Sequence, residues 1–230
     1  MNELRRATIA AVLPYAVWMV LMFGLEPTAV NYALRTGLTA AALSVVAPLS
    51  LAPFTPWCRF RQGKPVPQLL WGVLVGLVVC FLWIWPEQFA GYRDFTVLGF
   101  LGFGAPAVEE TSPYAPETCG WALTWTKLVG SAFIIAPVEE LFFRSFLYRW
   151  LQKGDWTKVD LAKFDLSAFV WMVGIFALEH HTRLAAGAMA GALYGFLAIR
   201  KGLGSAIIAH VVTNLVLGLY VIRYGQWGFW

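Results

Sequence analysis

Long apolar stretches, separated by short polar ones, are the feature that most constrains this chain. A helix needs about 20 mainly apolar residues to cross a bilayer. Segments of this kind occur at residues 7–25, 32–54, 69–85, 121–150, 166–179, 184–199 and 203–222. Apolar residues make up 59% of the chain and charged residues 13%, against about 45–50% and 25% in soluble domains. We therefore predict an all-α, polytopic transmembrane bundle of about seven to eight spans, forming a single integral membrane domain over residues 1–230.

Basic residues indicate the orientation of these segments, because Lys and Arg accumulate in cytoplasmic loops. They occur before the first segment and after the second, fourth and sixth: Arg5, Arg6, Arg59, Arg61, Lys64, Arg149, Lys153, Lys158, Lys163, Arg200 and Lys201. The stretch 86–118 is acidic instead, with Arg93 as its single basic residue. This pattern predicts a cytoplasmic N-terminus and an outer C-terminus, and we expect the membrane to be a bacterial inner membrane.

Ionisable side chains inside the apolar segments are few, and the first group follows Pro137 in the fourth segment. Such groups are unfavourable in a membrane and therefore indicate function. Glu140 and Arg144 are four residues apart with the acid first, the favoured order for an ion pair on one helix face. The side chain of Glu139 points about 100° around the helix from that of Glu140, so its carboxylate is not paired with Arg144 and is available as a general base. Pro137 lacks a backbone donor and predicts a kink. A charge cluster where the helix leaves the membrane is the alternative.

Two further pairs of residues have the one-turn spacing of a helix. Phe176 and His180 end the fifth segment and share a face, so the phenyl ring would form a wall beside the imidazole. His210 and Asn214 place two hydrogen-bonding groups on one face of the seventh segment. Considered alone, the histidine that ends the fifth segment also fits a polar cap at the membrane surface. The pair in the seventh segment also fits a structural hydrogen bond between helices.

A carboxylate, two imidazoles and an amide from three segments would together form one polar site. Glu139 and His180 would activate a water molecule, while His210 and Asn214 would donate hydrogen bonds to the oxyanion of a tetrahedral intermediate. Peptide hydrolysis needs both functions. Two other functions use the same buried groups: a transporter or channel with a proton relay, and a non-enzymatic scaffold for secretion or immunity.

The three motifs, in this order, resemble those of the CPBP intramembrane proteases. This family includes CAAX prenyl endopeptidases of the Rce type and bacterial relatives linked to bacteriocin processing or self-immunity. The motifs are Glu-Glu-x-x-x-Arg at 139–144, Phe-x-x-x-His at 176–180 and His-x-x-x-Asn at 210–214. The resemblance covers about residues 120–220, the expected protease core, and implies an intramembrane endopeptidase. Its implied catalytic residues are Glu139, His180, His210 and Asn214. Its implied supporting residues are Glu140, Arg144 and Phe176.

Metal dependence is a separate question, since relatives in this family are often described as metalloproteases. Glu139, His180 and His210 are residue types that ligate zinc, but the His-Glu-x-x-His helix of zinc proteases is absent from the sequence. We therefore expect no cofactor, with a zinc-dependent version of the same protease as the alternative. The three widely spaced cysteines indicate neither a disulfide framework nor a zinc site.

The expected partners follow from the same features. They are the lipid bilayer and a membrane-associated protein or peptide substrate. No nucleic acid is expected, because membrane topology accounts for the net charge of +4. Prenylated CaaX proteins, bacterial C-terminal sorting signals and leader peptides are all substrates that fit this chemistry.

Two features concern how the segments fit together. Because Glu139 precedes a basic loop, we expect the site to open toward the cytoplasmic half. A count of seven spans nevertheless puts His180 on the opposite side, so either the fifth segment is short and re-entrant or the count is wrong by one. Gly187, Gly191 and Gly195 form a flat strip that predicts close packing of the sixth segment against a neighbour.

Overall fold

A computed structural model describes residues 3–54, 65–88 and 112–230, and every regular element in these ranges is helical. The α-helices, in chain order, are α1 (Glu3–Gly24), α2 (Ala29–Phe54), α3 (Pro65–Ile84), the short α4 (Pro116–Cys119), α5 (Trp121–Gln152), α6 (Leu166–Glu179), α7 (Leu184–Lys201) and α8 (Leu203–Tyr224). α8 packs along α3 and α7, α6 along α7, and α1 along α2 and α5. This architecture confirms the predicted all-α helical bundle.

The number of candidate spans differs from the prediction. In the described ranges, 5 helical segments are long and apolar enough to cross a membrane: Glu3–Gly24, Val66–Glu87, Trp121–Gln152, His181–Lys201 and Leu203–Tyr224. All seven predicted segments fall on helices, but α2 and α6 are outside this set. α6 has only 14 residues, or about 21 Å, against a hydrocarbon core of about 30 Å. Residues 59–64 and most of 86–118, which supported the predicted orientation, lie outside the described residues.

α5 passes through Pro137 as one long helix. Two of its segments, Ser131–Ile135 and Leu141–Leu147, are π-helical. A π-helical turn has wider hydrogen bonding than an α-helical turn and accommodates a residue that has no N–H to donate. Where the sequence predicts a kink at Pro137, the structure has a continuous helix with π-helical turns on both sides of Glu139.

Loop contacts divide the molecule into two ends. At the first, here called the basic end, the indole of Trp156 in the α5–α6 loop donates to the hydroxyl of Thr8 in α1 (3.0 Å). At the second, here called the distal end, Arg183 from the α6–α7 loop donates to Glu87 after α3 (3.1 Å) and to the carbonyl oxygen of Gly228 after α8 (2.7 Å). The long helices run alternately between these two ends.

The glycine strip of α7 packs against α6, which confirms the predicted close approach. A Cβ atom at Gly187 would lie 2.9 Å from the Cβ of His180, and one at Gly191 would lie 3.1 Å from the ring of Phe176. A Cβ at Gly195 would meet α6 as closely, at 2.9 Å. Larger residues would push the two helices apart, so these glycines determine where Phe176 and His180 lie.

Candidate active site

Glu139 and His180 lie at similar heights in the bundle, although their helices run in opposite directions. α5 continues about 20 Å beyond Glu139 before it ends at Gln152 near the basic end. α6 starts near the same end and is about 21 Å long, and His180 follows it directly. The shortness of α6 therefore lets His180 line the same cavity as Glu139.

A cavity of about 210 Å³ brings together the residues named as catalytic by the resemblance. Glu139, His180, His210 and Asn214 all line it, and so does Phe176. Glu139 is 6% exposed and His210 is 4% exposed, while His180 and Asn214 are partly buried. The remaining wall is largely aromatic and includes Trp18, Tyr32, Trp83, Phe229 and Trp230.

Glu140 is fully buried between Arg144 and His210. Its Oε1 atom lies 3.0 Å from Nη1 of Arg144, which confirms the predicted ion pair, and 2.9 Å from Nδ1 of His210. The Arg144 guanidinium also lies 4.3 Å from the ring centre of Phe176. Because a carboxylate paired with arginine only accepts hydrogen bonds, Nδ1 of His210 is the donor. Nε2 of His210 then faces Glu139, 3.7 Å from its Oε2.

Glu139 has a carboxylate oxygen available for chemistry. Its Oε2 atom is buried and accepts no hydrogen bond in the described part of the chain. Glu179, at the end of α6, is an electrostatic neighbour of Glu139 and likewise has a buried Oε2 without a hydrogen-bond partner. Sequence reasoning missed Glu179, although it is ionisable, ends an apolar segment and directly precedes His180.

The hydrogen bond of His180 determines which of its nitrogens carries the proton. Nδ1 lies 2.9 Å from the carbonyl oxygen of Phe176. A carbonyl oxygen only accepts, so the proton is on Nδ1 and the lone pair of Nε2 is free. The imidazole packs on the ring of Phe176 (4.6 Å) and against Trp83 (5.4 Å). The neighbouring His181 is exposed and does not line the cavity.

Asn214 and Tyr194 complete the polar wall on the side of α8. The amide nitrogen of Asn214 donates to the carbonyl oxygen of Ser131 in the first π-helical segment (3.1 Å), and its second N–H has no acceptor among the described residues. Tyr194 stacks on His210, with ring centres 4.8 Å apart, and donates to the hydroxyl of Thr213 (2.6 Å). No spacing motif marks Tyr194, so the sequence offered no signal for it.

The residues considered for zinc do not form a three-ligand site. In residues 3–54, 65–88 and 112–230, no three His, Cys, Asp or Glu side chains form a group that could hold a metal ion. Glu139 and His210 face each other, and His180 donates its Nδ1–H to a backbone carbonyl, which leaves Nε2 available as a ligand. The zinc-dependent version stays an alternative for experiment to test, and no step below involves a metal.

The cavity lies toward the distal end of the molecule. Phe229 and Trp230, which follow α8, and Trp83, near the end of α3, contribute to its wall. The expectation that the site opens toward the cytoplasmic half stays a prediction.

Comparison with known proteins supports the resemblance. Residues 121–216 match the family model described as Rce1-like, type II CAAX prenyl endopeptidase. The match begins with α5, ends within α8 and contains all three motifs. Comparisons with curated proteins and with solved structures gave no match. Residues 121–216, somewhat less than half of the chain, are similar to the Rce1-like CAAX proteases, and the apolar helices are those of an integral membrane protein.

Proposed function

We propose that the protein is an intramembrane endopeptidase of the CAAX-protease type, which hydrolyses a peptide bond of a membrane-associated protein with water activated by Glu139 and His180. One observation carries this proposal. Motifs from three separate helices meet in one cavity, where a buried and unpartnered carboxylate oxygen of Glu139 faces an imidazole nitrogen of His210.

The proposed mechanism requires one proton on the Glu139–His210 pair, whose nearest atoms are 3.7 Å apart. When the proton is on Nε2 of His210, Glu139 is an anionic base and His210 is a cationic donor. The same proton position therefore prepares both proposed roles.

Hydrolysis then follows in two steps. Glu139 takes a proton from a water molecule that also donates to the free Nε2 of His180, and the water oxygen attacks the carbonyl carbon. The resulting oxyanion accepts hydrogen bonds from Nε2–H of His210 and from the free N–H of Asn214. The carbon–nitrogen bond breaks when Glu139 returns its proton to the leaving amine. General base catalysis contributes about 10²–10⁴-fold, and one oxyanion donor contributes about 10²–10³-fold.

Glu140 and Arg144 act through His210. The carboxylate of Glu140 holds the Nδ1 proton of His210 and thereby directs Nε2 into the cavity. Arg144 balances the charge of Glu140, since an unpaired buried carboxylate would be strongly destabilising. These two residues are positioning residues.

Substitution of Glu139 tests the proposal. Purified wild-type protein in detergent is assayed with an internally quenched peptide ending in a farnesylated Cys-aliphatic-aliphatic-Ser sequence, and with the same peptide lacking the farnesyl group. Glu139→Ala removes the base, and we expect kcat to fall by about 10³-fold or more. Glu117→Ala, which removes an exposed glutamate of α4, is the matched control and should retain full activity.

Three outcomes would contradict the mechanism. Cleavage that persists in Glu139→Ala would remove the proposed role of this carboxylate. Loss of activity with a chelator, restored by added zinc, would support the zinc-dependent version instead. A protein that cleaves neither peptide but conducts protons in vesicles, dependent on Glu139, would be a proton-coupled transporter.

A further inference from the structure

The cavity is small for a peptide substrate. Its volume is about 210 Å³, whereas sites that hold a drug-sized ligand measure about 300–1,000 Å³. A peptide must extend on both sides of the bond that is cleaved, and each extended residue adds about 3.3–3.6 Å of chain. Part of the cavity wall must therefore move before a peptide bond can reach Glu139.

Most of the wall belongs to long helices that pack along their neighbours. Trp18 comes from α1, Tyr32 from α2 and Lys127 from α5, and the Nζ atom of Lys127 lies 4.1 Å from the ring centre of Tyr32. Moving one of these side chains far would disturb the packing of a whole helix. Phe229 and Trp230 differ, because they follow α8 and lie at a single short 3₁₀ turn. They are the part of the wall that can move without shifting a helix.

Residues 226–230, here called the strap, begin next to a position suited to a hinge. α8 ends at Gly225, whose φ of 65° is in the left-handed region that glycine adopts without strain. The strap then turns back toward α8, since a Cβ atom at Gly218 would lie 3.1 Å from the ring of Trp230. Residues 227–230 are all partly exposed, so the strap covers the cavity from the surface of the molecule.

Arg183 holds the strap in this covering position. Its Nη2 donates to the carbonyl oxygen of Gly228 (2.7 Å), and its guanidinium lies 4.6 Å from the ring centre of Phe229. Its Nε also bonds the carboxylate of Glu87 (3.1 Å). When the strap leaves, Arg183 loses a carbonyl acceptor but keeps Glu87 as its counter-ion, so no unpaired charge results. Release of the strap is therefore a local change.

We propose that the strap is the gate of the cavity, latched by Arg183 and hinged at Gly225, and that it swings outward to admit the substrate. This inference rests on the proposed protease function and adds the route by which the peptide reaches Glu139. Trp227 and Trp230 favour the open position as well, because indole side chains are stable at a membrane surface. When the gate closes again, its aromatic side chains exclude bulk water from the reaction.

A reversible cross-link tests whether the strap must open for cleavage. The rings of Tyr220 in α8 and Phe229 in the strap have their centres 6.1 Å apart. Tyr220→Cys and Phe229→Cys are combined in a chain whose three native cysteines are replaced by alanine. A short bis-methanethiosulfonate reagent joins the two thiols, and a thiol reductant releases them. We expect the cross-link to lower cleavage of the internally quenched peptide at least tenfold, and reduction to restore it.

The control for this experiment is Tyr220→Cys alone in the same background. It has no second thiol in the strap, so treatment with the reagent should leave its cleavage rate unchanged. Comparing the cross-linked and reduced forms of one double variant also removes any effect of the substitutions themselves. Cross-linked protein that cleaves as fast as its reduced form would overturn the proposal, because the strap would then not need to move.

Thiol labelling inside the cavity measures opening without a substrate. Ser131 lines the cavity, and Ser131→Cys in the cysteine-free background is reacted with a small water-soluble methanethiosulfonate. We expect Arg183→Ala to raise the labelling rate about tenfold or more, because a charge-assisted hydrogen bond to the strap is lost. Arg223→Ala, at the end of α8, should leave the rate unchanged. The exposed Glu117→Cys reports the reactivity of the reagent in each variant.

The labelling experiment separates the gate from the protease function. If wild-type protein cleaved no peptide, faster labelling in Arg183→Ala would still support a gate over the cavity. Equal labelling of Ser131→Cys with and without Arg183 would reject the latch, even if Glu139 proved essential for cleavage.

Discussion

His210 is held by residues from two other helices. Glu140 of α5 bonds its Nδ1 at 2.9 Å. Tyr194 of α7 stacks on its ring and is itself bonded through its hydroxyl to Thr213. An oxyanion donor must be placed to a fraction of an ångström, so we expect these contacts to affect kcat more than KM.

Tyr194→Phe and Tyr194→Ala test this packing role. Phe keeps the stacked ring and loses one buried hydrogen bond, so we expect a loss of about 1 kcal/mol in the free energy of unfolding and little change in kcat. Ala leaves a void beside His210, and we expect kcat to fall about tenfold or more while KM changes less. Steady-state kinetics and thermal unfolding measure both effects, with the exposed Tyr224→Phe as control. Equal kinetics for Phe and Ala would show that the stack does not position the imidazole.

The motif residues could be named from the sequence because helical spacing is local. Glu140 and Arg144 are one turn apart, so their ion pair follows from the backbone geometry alone. The contacts of Tyr194 and Lys127 depend on how α7, α5 and α2 pack, and no spacing along the chain encodes that. For Arg149 the sequence prediction is wrong. The charge pattern places Arg149 in a loop, but it is buried in α5 and donates to the carbonyl oxygens of Val159 and Trp156.

At the scale of elements, the lengths of α5 and α6 decide where the catalytic groups meet. Apolar periodicity predicted both helices almost to the residue, since the predicted segments 121–150 and 166–179 correspond to Trp121–Gln152 and Leu166–Glu179. It could not show how the two helices pack, and therefore did not show that the end of α6 lies beside the same cavity as Glu139.

Gly187→Ala tests the contact between α6 and α7. The new Cβ would lie 2.9 Å from the Cβ of His180, so the end of α6 must move. We expect kcat to fall about tenfold because His180 shifts relative to Glu139. Gly174→Ala on α6 is the matched control, since a Cβ there meets nothing within 4 Å and alanine favours a helix. Unchanged activity of Gly187→Ala would mean that the strip does not set the position of His180.

At the scale of the whole molecule, Arg183 joins three parts of the distal end. It bonds Glu87 after α3 and the carbonyl oxygen of Gly228 after α8, and it lies 4.6 Å from the ring centre of Phe229. Phe229 is part of the cavity wall. A single guanidinium thereby links the cavity wall to the loop that follows His180.

Arg183→Ala should loosen this wall without unfolding the bundle. Loss of a charge-assisted hydrogen bond allows about tenfold faster opening or more, so we expect amide hydrogen exchange of residues 226–230 to rise by that factor. Exchange around Glu139 should remain slow. Arg223→Ala, which removes an exposed arginine from the same helix end, is the control. Identical exchange of residues 226–230 in both variants would exclude the proposed link.

The short helix α6 also affects the surrounding lipid. At about 21 Å it is roughly 9 Å shorter than the hydrocarbon layer, and its exposed face carries Leu166, Val170, Trp171 and Leu178. A bilayer adapts to such a mismatch by thinning around the helix. Headgroups and water would thus reach the level of His180 from the side, and a substrate diffusing in the membrane would meet the protein where the hydrophobic barrier is thinnest.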